Sequence, residues 1–346
     1  MKKLTFILSV ILAFNAYSEI VTGDKCGDNC TWTLDTDTGK LTVSGTGEMY
    51  DWGKNDTGNR PYEGSVTTYQ TQAPWGDYSG QISNIEIKNG ITAVGSSAFY
   101  NLSATSVIIP DSVTDLHREC FQFSNLRSVS IPSSVTSIPY AAFDNVPLTS
   151  IDLPDTITSI GYVAFRNTGL TEFIVPDSVT SIDQRAFSFR QAGGNLQKLV
   201  ISDSVTSIGD EAFKELTATV YCAATSPCAG KGSKNIVAYE KQGGVYILDG
   251  QYYLSGTDMV NTQNTCVDID TCKAKVLKNK GYCSSDEACA AIVEAENANH
   301  PIEYKNKSYA TIDDLLKGKY MPKRIYTIDE ANAVTGERNR VSIKYR

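Results

Sequence analysis

Phenylalanine recurs along the middle of this chain at a nearly fixed interval. Six phenylalanines lie 22, 22, 22, 22 and 26 positions apart: Phe99, Phe121, Phe143, Phe165, Phe187 and Phe213. The segments around them share one pattern, as in VSIPSSVTSIPYAAF (Val129 to Phe143) and IDLPDTITSIGYVAF (Ile151 to Phe165). A period in the twenties is typical of a solenoid, in which one short supersecondary unit stacks on the next. The pattern therefore predicts six stacked coils over residues 84–222.

Each predicted coil has three parts. The first is a short strand with two inward aliphatic residues, such as Val129 and Ile131. It ends at proline in four coils, because proline cannot donate a hydrogen bond to a neighbouring strand. The second is an alternating run such as SVTSI, which points its aliphatic residues inward and its Ser and Thr outward. The third is a turn with Ala-Phe, where Cys120 replaces the usual alanine and is expected to be small and buried.

The pattern V-x-I-P-x-S-V-T-S-I-G-x-x-A-F resembles the BspA-type leucine-rich repeat. The segment from Cys26 to Trp52, with its CG and SGTG sequences, and the later Ala73-Pro74-Trp75 resemble the leader found before such repeats. The resemblance implies a curved, right-handed stack on secreted or surface-exposed proteins, several of which are adhesins for host matrix proteins or other cells. Because that family is a scaffold with many ligands, it specifies a fold better than a function.

The predicted fold is mostly β, a leucine-rich-repeat solenoid with an N-terminal β-hairpin cap and a small C-terminal α+β module. Residues 19–83 form the cap, since a solenoid cannot leave its first coil bare. Alternating runs around Asp37-Thr38-Gly39 predict the hairpin, and the loop after it is expected to lay the Trp75 indole against the first coil. Tyrosines of this region are a second candidate for recognition: Tyr50, Tyr62, Tyr69 and Tyr78.

Residues 1–18 are interpreted as a cleaved signal peptide. Lys2 and Lys3 precede an apolar run, and Ala16 and Ser18 suit signal peptidase. The alternative is a membrane anchor, but the run is shorter than the roughly 20 residues that span a bilayer. Removing two lysines and no acids changes the formal net charge from −8 to −10. This predicts a secreted or cell-surface protein without membrane insertion after cleavage, and argues against nucleic acid as a partner.

Eight of the nine cysteines flank the repeats in closely spaced pairs: Cys26 and Cys30, Cys222 and Cys228, Cys266 and Cys272, Cys283 and Cys289. Export permits disulfides, and the spacing suggests small local loops, although the sequence leaves the pairing open. Zinc is the alternative, but only the first pair has suitable spacing and histidine is scarce. We expect disulfides, with no metal or other cofactor.

Residues 223–346 are predicted to be a module or tail of unknown function. Asp249-Gly250 lies between two strand-like runs and favours a hairpin with a type I′ turn. The segment from Ser284 to Glu287 has the pattern of a capping box ahead of a helix. Thr311 and Thr327 begin similar sequences, each of which is expected to open a short helix.

No catalytic residues are predicted. Neither His117 nor His300 has a companion at metal-ligand spacing, and the sequence lacks H-E-x-x-H, G-x-S-x-G and phosphate-loop motifs. We expect instead a non-catalytic, adhesin-like recognition protein that binds an extracellular protein or glycan through its solenoid. The alternatives are a structural spacer or envelope component that displays the C-terminal module, and a secreted hydrolase with its site in residues 223–346.

The candidate binding residues form one column of outward positions on the first strands. The column mixes aliphatic and acidic side chains: Glu86, Ile108, Ser130, Asp152, Ile174 and Val200. Contiguous apolar surface often marks a partner site. The competing interpretation is that short aliphatic residues simply suit strands.

Overall fold

A computed structural model of the chain describes residues 19–52, 72–190, 194–305 and 307–319. The predicted signal peptide, two of the four tyrosines (Tyr62 and Tyr69) and the predicted helix start at Thr327 lie outside these residues. The chain divides into two compact units, Met1–Thr156 and Ile157–Arg346, which are considered in turn.

The described part of the first unit consists of strands and one short 3-10 helix at Gly76–Tyr78. The strands are β1 (Ile20–Gly23), β2 (Asn29–Asp35), β3 (Lys40–Glu48), β4 (Asn84–Ile87), β5 (Ile91–Val94), β6 (Ser106–Ile108), β7 (Asp115–Leu116), β8 (Ser128–Ser130), β9 (Ser137–Ile138) and β10 (Ser150–Asp152).

The predicted N-terminal hairpin is confirmed. β2 pairs antiparallel with β3, and β1 adds antiparallel to the other side of β2. At the turn, Asp35 Oδ1 accepts hydrogen bonds from the backbone N–H groups of Asp37 and Thr38, at 3.0 and 3.3 Å. The Asp35 carboxylate therefore stabilises a turn here, as the alternating pattern predicts.

Strand β3 acts as the coil before the first repeat. Leu41 lies in register with Ile85 of β4, while Gly47, near the other end of β3, pairs with Ile91 of β5. β3 can serve both strands because it bends at Gly45, whose φ of 129° is disfavoured for other residues. A side chain at Gly45 would also run into the carbonyl oxygen of Asn29. The SGTG sequence thus allows one strand to cover two exposed edges.

The first strands of successive coils pair in parallel, β4 with β6, β6 with β8 and β8 with β10. Inside, the phenylalanine rings stack face to face. Phe99 and Phe143 each lie 5.5 Å from Phe121, at interplanar angles of 12° and 6°. Trp75 extends the stack at 5.5 Å from Phe99, and its indole N–H donates to the Ala98 carbonyl at 2.9 Å. The predicted position of Trp75 is confirmed, and Cys120 is fully buried.

Hydroxyl groups on the second part of each coil bond to the preceding coil. Ser112 Oγ donates to the carbonyl of Ile91 at 2.7 Å, and Thr156 Oγ1 donates to the carbonyl of Val135 at 2.8 Å. The exposed Thr114 makes the same kind of bond, from Oγ1 to the carbonyl of Thr92 at 3.2 Å. These Ser and Thr side chains therefore link coils, which explains their recurrence without a ligand.

The second unit continues with further coils and then changes architecture. Its described elements are β11 (Ser159–Ile160), β12 (Glu172–Ile174), β13 (Ser181–Ile182), β14 (Lys198–Ile201), β15 (Ser207–Ile208), β16 (Thr219–Ala223), β17 (Ile236–Gln242), β18 (Val245–Leu248), β19 (Gln251–Tyr253), α1 (Gly256–Asn261), β20 (Thr265–Cys266), α2 (Ile269–Asn279), α3 (Asp286–Asn297), β21 (Ile302–Tyr304), β22 (Lys307–Tyr309) and α4 (Ile312–Leu316).

One sheet of the second unit runs from the repeats into the C-terminal segment. β12, β14, β16 and β17 pair in parallel, and β17, β18, β19 and β20 continue antiparallel. The predicted domain boundary after Cys222 falls inside β16 (Thr219–Ala223). The segment after Cys222 therefore extends the repeat sheet.

The C-terminal segment contains two similar hairpin–helix units, β18–β19–α1 and β21–β22–α4. The predicted type I′ turn is present at Asp249-Gly250, with φ values of 50° and 75°. Ser255 caps α1 and Thr311 caps α4, as expected for Thr311. The helix predicted near Ser284 is α3, and its N-cap is the next residue, Ser285.

The four predicted cysteine pairs are confirmed as disulfides. The Cα–Cα distances are 5.1 Å for Cys26–Cys30, 6.5 Å for Cys222–Cys228, 5.6 Å for Cys266–Cys272 and 5.4 Å for Cys283–Cys289. The last two close loops around the first turns of α2 and α3. Within the described ranges, no helix has the length and apolar character needed to cross a bilayer.

Candidate binding surface

The first unit exposes two columns of side chains on the outer side of β4, β6, β8 and β10, which we call the strand face. The columns are Asn84, Ser106, Ser128 and Ser150, and Glu86, Ile108, Ser130 and Asp152. Parallel pairing in register places Glu86 beside Ile108, and Ser130 beside Asp152. Four of the six predicted binding residues therefore share one surface.

Ile108 is the large apolar side chain of this face. It is 63% exposed, whereas the neighbouring Val107 is buried in the core. A strand favours a β-branched residue at this position, but an exposed isoleucine also leaves apolar area that a partner could remove from water.

Glu86 does not present a free carboxylate. Lys40 Nζ lies 2.5 Å from Glu86 Oε2, and Lys88 donates to Glu86 Oε1. The hydrogen bonds from Lys40 and then Lys88 lower the pKa of the Glu86 carboxyl. The acid at this end of the strand face is therefore compensated by two cations.

Apart from the exposed carboxylate of Asp152, the rest of the strand face is small and uncharged. Ser106 Oγ donates to Asn84 Oδ1 at 2.7 Å. Ser128, Ser130 and Ser150 are exposed and too short to rise far above the backbone. The face is consequently low around Ile108, with hydroxyl groups that can donate or accept hydrogen bonds.

In the second unit, the equivalent positions are covered by the chain itself. Ile174 is half-buried and Val200 is fully buried, in a cluster with Met259 and Val260 of α1. A Cβ atom on Gly256 would lie 3.4 Å from Val200 Cγ1 and 3.5 Å from Ile174 Cγ2. The expectation that Val200 is exposed is therefore wrong, because the first turn of α1 lies over it.

Polar contacts hold α1 at this position. Lys198 Nζ, on the strand of Val200, donates to the carbonyl of Val260 at 2.8 Å and to Asn261 Oδ1 at 2.6 Å. A cation at the C-terminal end of a helix is also favoured by the helix dipole. A Ser-x-x-Asp pattern from Ser255 to Asp258 indicates the start of α1, and sequence reasoning missed it.

An ion-pair network around the buried Lys241 fixes the adjoining hairpin. Lys241 Nζ lies 2.6 Å from Asp177 and 3.3 Å from Asp203, and Lys317 lies 2.9 Å from Asp203. Burial alone would lower the pKa of Lys241, but the two carboxylates outweigh it and raise that pKa. Tyr239 adds a hydrogen bond from its hydroxyl to the Ile201 carbonyl at 2.9 Å.

Sequence reasoning also missed a pair formed by His117 and Asp51. His117 Nδ1 lies 2.7 Å from Asp51 Oδ1, which also accepts a hydrogen bond from the Ser96 backbone N–H at 2.5 Å. Although burial opposes ionisation, the hydrogen bonds from His117 and Ser96 lower the pKa of Asp51 to about 2. The Asp51 carboxylate in turn raises the pKa of His117, against the effect of burial. The pair joins the end of the cap to the repeats.

The described tyrosines of the second candidate surface are half-buried in the cap. The Tyr50 hydroxyl donates to Asp28 Oδ1 at 2.6 Å, and the Tyr78 ring packs 6.3 Å from that of Trp32. His300 is exposed after α3. Across the described residues, no three His, Cys, Asp or Glu side chains are grouped to hold a metal ion.

The solved structures that are similar to this chain come from bacterial proteins, and their sequence identity to it is low. A leucine-rich repeat protein from Eubacterium ventriosum is 20% identical, with 64% of this chain and 73% of that chain covered and a TM-score of 0.33. A leucine rich cell surface protein from Faecalibacterium prausnitzii is 18% identical, with coverages of 56% and 74% and a TM-score of 0.31. The pneumococcal vaccine antigen PcpA is 20% identical, with coverages of 67% and 54% and a TM-score of 0.38. No curated protein matches the chain.

The family comparison identifies the repeats themselves. The BspA type leucine rich repeat region matches residues 77–192 and 188–225, in six copies. These bounds contain all six phenylalanines of the repeat period and strands β4 to β16. Residues 77–225 are therefore a BspA-type leucine-rich repeat region.

Proposed function

We propose that this chain is a secreted or cell-surface recognition protein, without catalytic activity, that binds an extracellular protein or glycan. The observation that carries the proposal is the strand face of the first unit. It presents Ile108 at 63% exposure among short hydroxyl side chains, while the equivalent aliphatic residues of the second unit are covered. An exposed apolar residue within a polar surround matches the anatomy of a protein interface.

The test is binding of the mature protein, residues 19–346, to arrays of extracellular matrix proteins and glycans. The informative variant is Ile108→Glu, which places a charge at the centre of the strand face. Ile20→Glu is the matched control, because Ile20 on β1 is also 63% exposed.

We expect Ile108→Glu to weaken binding to any partner of the wild type by about tenfold or more, which corresponds to about 1.4 kcal/mol. Ile20→Glu should leave the affinity unchanged. Equal affinity of both variants and the wild type for every partner would exclude the strand face as the binding surface.

A further inference from the structure

The second unit contains an example of what the outer side of these repeats binds. Ile174 lies 66 residues after Ile108, which is three periods of 22, so the two isoleucines hold the same position in their coils. Ile174 and Val200 are covered by the hairpin–helix unit β18–β19–α1. In the second unit, a later segment of the same chain therefore covers positions that are equivalent to the exposed Ile108.

The occupant makes its contact through the first turn of a helix. Gly256, the first residue of α1 after its N-cap Ser255, lies between the side chains of Val200 and Ile174. The absence of a side chain there lets the helix backbone approach the strands closely. Met259 and Val260, one turn later, complete the buried cluster.

The same contact uses polar groups that any helix offers. Lys198 binds the Val260 carbonyl and the Asn261 side chain at the C-terminal end of α1, where backbone carbonyls lack partners within the helix. The contact thus combines aliphatic burial with recognition of a helix end.

The open strand face of the first unit has chemistry compatible with such an occupant. Its eight residues include no aromatic ring on which a sugar could stack, and their side chains around Ile108 are short. Glu86 is already paired with Lys40 and Lys88, so it does not impose a strong local charge on the partner.

We infer that the partner of the strand face is a polypeptide that lays an α-helix with a small residue, glycine or alanine, over Ile108. The inference rests on the proposed function and narrows it from protein or glycan to one kind of protein segment. The strand-face serines provide hydrogen bonds to the polar groups of that helix.

The experiment presents the mature protein, residues 19–346, with three probes in parallel. They are a displayed library of helical peptides with varied small and large residues on one face, a displayed library of disulfide-closed β-hairpins, and a glycan array. Each selected binder is measured against the wild type, Ile108→Ser and the control Ile20→Ser.

The expected result is enrichment of helical peptides with glycine or alanine on the contact face. Their affinity should fall about tenfold or more in Ile108→Ser and stay unchanged in Ile20→Ser. Replacing the small residue of a selected peptide by leucine should also abolish binding.

Two other outcomes overturn the inference in different ways. If the binders sensitive to Ile108→Ser are only hairpins or glycans, the strand face is a binding site but its partner is not a helix. If no probe gives a binder sensitive to Ile108→Ser, the inference fails, and the arrays of matrix proteins and glycans decide the proposed function separately.

Discussion

At the scale of single residues, the coil turns depend on the left-handed backbone region. Asn101, Asn145 and Asn167 follow the Phe of their coils by two positions and have φ values of 54°, 57° and 55°. Asparagine tolerates this conformation better than other residues with a side chain. Glu215 holds the equivalent position with φ of 57° and is exposed. The glutamate side chain does not favour this left-handed conformation as asparagine does.

Glu215→Asn should therefore stabilise the protein. We expect the free energy of unfolding to rise by about 0.5–1 kcal/mol, because strain at a positive φ is reduced. Urea denaturation of the variant and the wild type measures the change. Glu294→Asn is the control, since it removes the same charge from an exposed position of α3, and it should not stabilise. Equal stability of Glu215→Asn and the wild type would argue against strain at this turn.

The His117–Asp51 pair should make stability depend on pH. Because the folded pKa of His117 is raised, its contribution is complete below the unfolded value of about 6.5 and disappears as pH rises through the folded value. Asp51, with a pKa of about 2, stays ionised over that range. His117→Gln should cost about 1 kcal/mol near pH 5.5 and less near pH 8. Denaturation at both pH values tests this, and a cost independent of pH would contradict it.

Sequence reasoning found the residues whose place follows from the repeat, and missed this pair for a physical reason. Cys120 could be assigned because the stacked core needs a small residue at that position of each coil, and Trp75 because the first coil needs a cover. His117 and Asp51 are 66 residues apart, and Asp51 belongs to the cap, which has no period. Nothing in the repeat pattern indicates that Asp51 meets the coil that contains His117.

At the scale of elements, the C-terminal segment contains the same hairpin–helix arrangement twice, in two different environments. Ser255 and Thr311, 56 residues apart, each cap a short helix after a hairpin and donate to an Asp three residues later, at 2.6 and 2.9 Å. α1 lies on the strands of the second unit through Gly256, whereas α4 buries Ile312 at the corresponding position, against the cluster that contains Leu277. The residue after the cap thus differs in size with the surface that each helix packs against.

Substitution of Gly256 tests how closely α1 approaches the strands. Gly256→Ala should be tolerated, because its Cβ atom meets Val200, Ile174 and Tyr246 at 3.4–3.5 Å, which is ordinary contact. Gly256→Leu should cost about 2 kcal/mol or more through overpacking. Thermal unfolding of both variants gives the comparison. Similar stability of the alanine and leucine variants would show that α1 does not pack tightly there.

The position of α1 could not be derived from the outward column alone. Alternation along a strand determines which residues point away from the core, so Ile174 and Val200 were correctly placed on the outer side. It cannot determine whether a later segment returns to cover them. That depends on a six-residue helix, too short for an amphipathic period to be distinguished from chance.

At the scale of the whole molecule, the second unit joins the last repeats and the C-terminal segment in one sheet. β16 pairs with β17 in the same sheet that holds β12 and β14. Cys222 and Cys228 lie on opposite sides of the predicted boundary, and Tyr239 bonds back to Ile201. The second unit is one folded body from its coils to α4.

Truncation after Cys222 should therefore disrupt the second unit. We expect residues 19–222 to expose Val200 and the β16 edge, to bind a hydrophobic dye and to lose part of the cooperative unfolding transition. Calorimetry and dye fluorescence compare it with the full mature chain carrying Cys222→Ala and Cys228→Ala, which removes only the disulfide. A truncated protein that unfolds as cooperatively as this control would show that the coils need no C-terminal cover.

The hydroxyl bonds between coils also bear on how fast this protein acquires its structure. Ser112, Ser204 and Thr206 donate to carbonyls only 21 to 26 positions earlier in the chain. Most β proteins fold slowly because their strands must find distant partners, and the rate falls as that sequence distance grows. Here every added coil closes a loop of similar modest length, so the entropic cost of adding a coil does not grow along the solenoid. A chain that emerges N-terminus first can thus complete the hairpin and then add the coils of the first unit in order, whereas the last coils still need the C-terminal segment that covers them.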